Sequence, residues 1–261
     1  DPLPDYLSPY FKRIIRVTRL REVKVLLGFM RVDAPDPDAD EQPNVVKLSK
    51  GRSGEGEKWL PAAEVHGEGI FIEFNRQTLD RWIGTVRTLS EKYADTYKEF
   101  CESKGWTITS ERNAIYVMMH TFSHLMIKQM SMSSGYSSTA IRERIYFSDK
   151  MAGILLYTGS ADKEGSLGGL VELGTAEKLS EMMRDTFQEA LLCTNDPECM
   201  HNMPAGKNSN GAACHSCCMI SETACENGNR MLDRGLVVPI AERENQAYFR
   251  ELVIELCQLA I

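Results

Sequence analysis

Six cysteines fall between positions 193 and 225, in a stretch of chain that has little else from which to build a core. The linking segment MPAGKNSNGAA carries two glycines, two asparagines and a proline. Such a segment buries too little apolar surface to offset the entropy of ordering it, so it must be stapled. Five of the thiols follow C-x5-C-x14-C-x2-C-x7-C (Cys193, Cys199, Cys214, Cys217, Cys225), with Cys218 adjoining. The x2 pair turns two thiolates onto one ion and two outer cysteines close a tetrahedron, a pattern that suits redox-inert Zn2+. An iron–sulfur cluster uses similar ligands, and spacing alone does not separate the two. Disulfides require an oxidising compartment, and the leading DPLPDYLSPYFKR has no signal-peptide apolar core. No H-x-E motif accompanies the C-x-x-C, so the reading is structural rather than catalytic zinc.

Four ligands suffice for five candidates. Cys214 and Cys217 follow from their mutual spacing, and Cys225 is the nearest downstream thiol. Cys199 is preferred for the last place because the preceding Asp-Pro-Glu turn aims it into the loop, with Cys193 as the alternative. His201 and His215 read as exposed loop residues, Cys218 as pointing away from its neighbour, and Cys101 and Cys257 as inert thiols in helical patterns. A structural zinc is worth roughly 10–16 kcal/mol to such a segment.

The rest of the chain has an ordinary folded composition, 43% hydrophobic and 26% charged over 261 residues. Alternation over 20–32 and again in WLPAAEVHGEGIFIEF predicts strands, separated by a polar 33–58 segment read as a mobile loop or an insertion between paired strands. Residues 75–106 have helical period, with Leu79, Trp82, Ile83, Val86 and Leu89 on one face. Beyond Ser110, a capping candidate, NAIYVMMHTFSHLMIKQM is apolar on nearly every side, as a helix surrounded by protein would be. SSTAIRERIYFS and AGILLYTGS read as strands and AEKLSEMMRDTFQEALLC as a helix. NRMLDRGLV and AERENQAYFRELVIELC follow as a short and a longer helix. The expected fold is α+β, a mixed sheet packed against helices with a cysteine-rich zinc-binding subdomain. Residues 1–110 would form an N-terminal strand and helix region, and 111–261 a second unit whose zinc loop spans 193–227.

A net charge of −7 argues against a general nucleic-acid coat, but the charge is unevenly placed. Residues 12–31 hold Lys12, Arg13, Arg16, Arg19, Arg21, Lys24 and Arg31 against one acid, Glu22. Lys12, Arg13, Arg16 and Arg19 are candidate phosphate contacts, as are Arg142 and Arg144 on a later strand, where pairing with acids across the sheet is the competing reading. His120 and His124 share one face of the central helix but lack the Glu of H-E-x-x-H. A packed, hydrogen-bonded pair is the leading reading and a metal or catalytic pair the second. Gly165, Gly168 and Gly169 read equally as a tight turn or as a close backbone approach to another chain or a phosphate, and Tyr157, Ser160 and Asp162 lack the surroundings of a hydrolytic site. No P-loop or complete catalytic motif is present, so no catalytic residue or ATPase is assigned. No apolar run approaches the ~20 residues that span a bilayer. A chain beginning at Asp1 is expected to be a fragment or a processed product.

ACHSCCMISETACENGNRMLDRGLV, with HTFSHLMI, GYSSTAIRERIY and GILLYTGSADKEGSLGGLV, resembles the zinc-binding domain at the C-terminus of MrfA-type DNA-repair helicases. LREVKVLLGFMRV and WLPAAEVHGEGIFIEF are more similar to the DrmB family of the DISARM anti-phage defence system, which carries the same domain. The resemblance covers most of residues 15–235. It implies a cysteine-bound zinc on Cys214, Cys217 and Cys225, with Cys199 or Cys193 completing it. It also implies a DrmA-like DNA helicase as partner. The expectation is a cytoplasmic, non-enzymatic, helicase-associated defence component that helps bind or guide DNA while the partner supplies the ATPase. A nucleic-acid hydrolase using the His120/His124 region and a purely protein-binding scaffold are the alternatives.

Overall fold

The computed structural model describes residues 3–29, 46–48, 51–52, 58–105, 108, 111–137, 139–159, 169–206 and 208–259. Ser110, Ser160, Asp162, Gly165, Gly168 and most of the 33–58 segment lie outside these residues. A four-stranded antiparallel sheet, in the order β1-β6-β8-β7, forms the frame. Its strands are β1 (Phe11–Val25), β6 (Ala62–Phe74), β7 (Ile141–Ser148) and β8 (Met151–Gly159). Between the first two lie the two-residue strands β2 (Gly28–Phe29), β3 (Val46–Lys47), β4 (Gly51–Arg52) and β5 (Lys58–Trp59), paired β2 with β3 and β4 with β5. The sheet draws strands from both sides of residue 110.

Sequence explains the strand order. The continuous apolar run of β8 sits inside the sheet, where both neighbours cover it. The charged, alternating β1 and β7 take the edges, where basic side chains also discourage pairing with another chain. Register shifts in β1 between Phe11 and Arg13 and between Val17 and Leu20 bend that long edge strand. Gly67 is required where β6 meets β8, since a Cβ there would stand 1.6 Å from the Thr158 carbonyl oxygen.

The helices of the described residues are, in chain order, α1 (Arg76–Ile83), α2 (Arg87–Lys104), α3 (Ala114–Ser134), α4 (Gly169–Glu172), α5 (Ala176–Ala190), α6 (Glu198–His201) and α7 (Arg250–Cys257), of which α3 and α4 pack directly on the sheet. The all-apolar α3 is the hub, in contact with β7, β8, α1, α2, α4 and α5. Sixteen of its residues are buried, which is why no polar face interrupts its sequence. Asn113 caps it by accepting from the Ile115 and Tyr116 amides, and Gly135, in the left-handed region at φ 73°, ends it. Phe122 of α3 meets Phe11, Phe74, Phe187 and Phe249 in an aromatic cluster, with Phe249 at 4.9 Å between ring centroids. That cluster joins both chain ends to the centre of the fold. The expected helix in NRMLDRGLV is reduced to a 3-10 turn at Arg234–Leu236, and the final helix begins only at Arg250.

Candidate metal centre

The segment after α5 has little regular structure and is organised by side chains. Fully buried Arg234 donates through Nη1 to the carbonyls of Ala190 and Leu191 at 3.0 and 3.1 Å, satisfying the open C-terminus of α5. Its Nη2 holds both Asp196 oxygens at 2.5 and 2.6 Å. Asp196 Oδ2 in turn accepts from the Cys193 amide at 2.9 Å. Buried Asp233 accepts from Tyr93 Oη at 2.7 Å, Arg243 Nη2 at 2.6 Å and the amides of Ala212 and Gly235. The asparagines act as substitutes for a hydrogen-bond ladder. Asn229 makes both bonds to the Ile220 backbone, Asn210 links Asn229 to Leu232, and Asn202 donates to the carbonyls of Asn210 and Gly211. At Gly211 a Cβ would lie 2.3 Å from Tyr93 Oη and 2.4 Å from Asp233 Oδ2, so only glycine fits.

This scaffold gathers Cys193, Cys199, Cys214 and Cys217, whose sulfurs all lie within 4.8 Å of one another. Cys193 follows the end of α5, Cys199 sits in α6, and Cys214 and Cys217 occupy one turn. The Cys193–Cys214 separation is 3.5 Å, and Cys199–Cys217 and Cys214–Cys217 are each 3.7 Å. Tetrahedral coordination with ~2.3 Å metal–sulfur bonds sets sulfurs about 3.8 Å apart, so the edges fit one Zn2+. They are far longer than the ~2.05 Å of a disulfide, and all eight cysteines are free. Amides of Asn195 and Cys214 and the Asn195 side chain donate to these sulfurs, as thiolate ligands require. Hydrogen bonds from Cys199 and Cys218 push the Cys217 thiol far down, and the same shared bond pushes Cys199 up. Lys128 Nζ donates to the carbonyls of Ser216 and Cys217 at 2.7 and 2.8 Å, which places a cation beside the sulfur set along with Arg234.

Cys225, expected in the same set, lies instead under α3, and Cys193, expected as the alternative to Cys199, stands beside it. The physical reason is the course of the chain beyond Cys218. Asn229 binds the Ile220 backbone, and the amides of Asn227 and Asn229 donate to Cys225 Sγ at 3.2 and 3.3 Å, folding this stretch back toward His120. There Cys225 joins His120, His124 and Glu143, again with all ligand atoms within 4.8 Å. Burial opposes charge on His120, but Glu143 and Cys225 outweigh it and raise the imidazole to about 10. Burial likewise opposes the Cys225 thiolate, and His120 overcomes it to bring the thiol to about 6. Glu143 was concealed in sequence between two arginines; strand alternation was the available signal, since it turns Glu143 inward while Arg142 and Arg144 face out.

The remaining candidates are dispersed. His215 is exposed, and His201 Nε2 lies 3.3 Å from Glu242. Cys218 is buried with its sulfur turned to the Ala212 carbonyl, Cys101 is buried and Cys257 half-buried. Lys12 and Arg13 both bind Glu73, at 2.8 and 2.5 Å, while Arg16 and Arg19 are exposed on β1. Arg142 lies 3.8 Å from Glu22, and Arg144 2.5 Å from Glu226. Among the described residues, no helix is long and apolar enough to cross a membrane.

Residues 122–218, which include the four-cysteine set, match the MrfA Zn-binding domain family. The chain is also 51% identical over 257 residues to a DISARM protein DrmB of Bacillus paralicheniformis, a match covering 97% of this chain and 45% of that protein. It therefore spans less than half the length of that relative. Over nearly its whole length, then, the chain is a homologue of part of a DISARM protein DrmB, and it carries the MrfA Zn-binding domain.

Proposed function

We propose that this chain is a zinc-stapled, non-enzymatic component of a DISARM-like anti-phage defence complex, in which it helps bind or guide DNA beside a DrmA-like helicase in the cytoplasm. The observation that carries this reading is the clustered sulfur set of Cys193, Cys199, Cys214 and Cys217 in a chain so similar to a DISARM protein DrmB. Four protein ligands leave a zinc ion no open position, so the ion would organise the segment rather than activate water. Its role here is to fix one surface, with Arg234, Asp196 and the asparagine network holding the sulfurs in place.

DNA contact is supported by the exposed basic side chains of Lys12, Arg13, Arg16 and Arg19 along the edge strand β1. For Lys12 and Arg13, phosphate would compete with Glu73. Arg142 and Arg144 already face acids, which favours their structural reading. Hydrolysis at His120/His124 finds no support in this geometry, because both rings are fully buried and a phosphodiester has no route to them.

The test is DNA binding by the full-length protein co-expressed with a DISARM helicase, measured against salt concentration. Replacing Lys12, Arg13, Arg16 and Arg19 by glutamine should weaken binding and flatten the logarithmic salt slope by roughly 0.7–0.9 for each phosphate that is no longer neutralised. An unchanged slope removes β1 from the DNA path. Helicase capture that survives nuclease treatment, with no DNA shift, would instead establish the pure scaffold.

A further inference from the structure

We propose that His120, His124, Glu143 and Cys225 form a second, closed zinc site, distinct from the four-cysteine centre and outside the part of the chain matched to the Zn-binding domain at two of its four ligands, His120 and Cys225. The proposal does not depend on the partner or the DNA contact assigned above.

Three features of the geometry carry it. First, the donor atoms converge at ligand spacing. His120 Nε2 is 3.2 Å from Cys225 Sγ and 3.0 Å from Glu143 Oε1, and His124 Nε2 is 3.3 Å from the same oxygen. A tetrahedron with ~2.0–2.2 Å bonds to nitrogen and oxygen and ~2.3 Å to sulfur has edges of about 3.3–3.6 Å, close to these separations. Second, the far side of each ligand is already fixed. His120 Nδ1 faces the Met231 carbonyl at 3.2 Å and His124 Nδ1 the Cys218 carbonyl at 3.0 Å. Each Nδ1 therefore donates to its carbonyl and each Nε2 points inward, the arrangement metal-bound histidines adopt once the ion has displaced the Nε2 proton. Glu143 Oε2 accepts from Ser123 Oγ, which turns Oε1 toward the site. Cys225 Sγ accepts from two amides, as a ligating thiolate does. Third, the two histidines and Glu143 are fully buried. A divalent cation at that point would displace the Nε2 protons and bind all four donors away from water. A divalent ion with two neutral imidazoles, one carboxylate and one thiolate leaves the cavity electrically neutral.

A mixed set of two nitrogens, one oxygen and one sulfur is the borderline-soft environment that Zn2+ occupies, and all four positions are filled by protein. The site would therefore be structural. It would clamp α3, through His120 and His124, to β7, through Glu143, and to the irregular segment, through Cys225.

The test is zinc stoichiometry and zinc X-ray absorption on the reduced full chain. Two zinc ions per chain are expected, with five sulfur and three nitrogen or oxygen ligands shared between them. One zinc per chain in an all-sulfur shell overturns the proposal, and so does a different metal at the second position. Cys225→Ala should leave one zinc with a sulfur-only shell, whereas the double variant Cys193→Ser, Cys199→Ser should leave one zinc in a shell rich in nitrogen and oxygen. Full retention of two ions by Cys225→Ala is a refutation. Should either variant fail to fold, the wild-type shell composition decides the matter alone.

Discussion

Replacing Arg234 by alanine should be among the most damaging single substitutions in this chain, although Arg234 is neither a metal ligand nor near the surface. Its guanidinium is 0% exposed and grips Asp196, itself only 19% exposed, through both carboxylate oxygens. It also satisfies two carbonyls at the end of α5. Removing one partner of such a buried pair costs about 3–5 kcal/mol, because the remaining charge is left uncompensated. In a domain of this size each kcal/mol moves the melting temperature by roughly 2–4 °C, so a fall of about 6–20 °C is expected. Because Asp196 Oδ2 orients the Cys193 amide, Arg234→Ala should also weaken zinc retention against a chelator. Thermal melting of the zinc-loaded protein, with chelator titration alongside, reads both effects. Adding Asp196→Asn should recover part of the loss by removing the stranded charge, which a simple cavity would not predict. A variant that melts with wild type and keeps its metal equally well would refute the idea that this ion pair positions the sulfur set.

Two further substitutions probe other parts of the scaffold. Gly211→Ala would drive a methyl group against Tyr93 Oη and Asp233, and overpacking of this kind costs about 1–3 kcal/mol, read as a lower denaturation midpoint; an unchanged midpoint would mean the Asp233 network yields freely. At Glu73, hydrogen bonding to Lys12, reinforced by Arg13, holds the carboxyl below its ordinary value against the opposing effect of burial. A depressed folded-state value means the stabilisation is fully present above the unfolded carboxylate range and is lost as pH falls through the folded value. The stability advantage of wild type over Glu73→Gln should therefore be constant near neutrality and shrink in acid, and an advantage that persists unchanged into strong acid would contradict the assignment.

Local chemistry explains which features were legible in the sequence. A helix apolar on every side had to be central, and α3 is; the uninterrupted run of β8 had to lie inside the sheet, and it does. The C-x-x-C spacing of Cys214 and Cys217 is met within one turn, so a local pattern reports it. The other sulfurs are positioned by distant residues. Cys193 depends on Asp196 and thus on Arg234, 38 positions further on, and Cys225 is diverted by hydrogen bonds from Asn227 and Asn229 into contact with a helix more than a hundred residues earlier. The asparagine network was hidden for a similar reason. A side chain that replaces backbone pairing leaves no periodicity, and asparagine in a loop reads first as a turn former.

The same facts bear on why the chain has two clusters of ligands. The four-cysteine set links the end of α5 to the 214–217 turn, all on one side of the irregular segment. It does not reach residues 219–231, which contain no helix or strand and bury few apolar side chains. That stretch meets α3 and β7 through Cys225, through Glu226 bonded to Arg144 and the Ile145 amide, and through backbone bonds such as Glu143 to Ala224. Surface pairs such as Arg144–Glu226 contribute little. The buried quartet adds to the bonds that Asn210 makes to Asn229 and Arg112 to Asn227 in holding the stretch in place. If an ion occupies the quartet, chelation should release 219–231 to amide exchange separately from 193–217, in two steps of different chelator sensitivity. One concerted opening would mean that a single centre organises the whole segment.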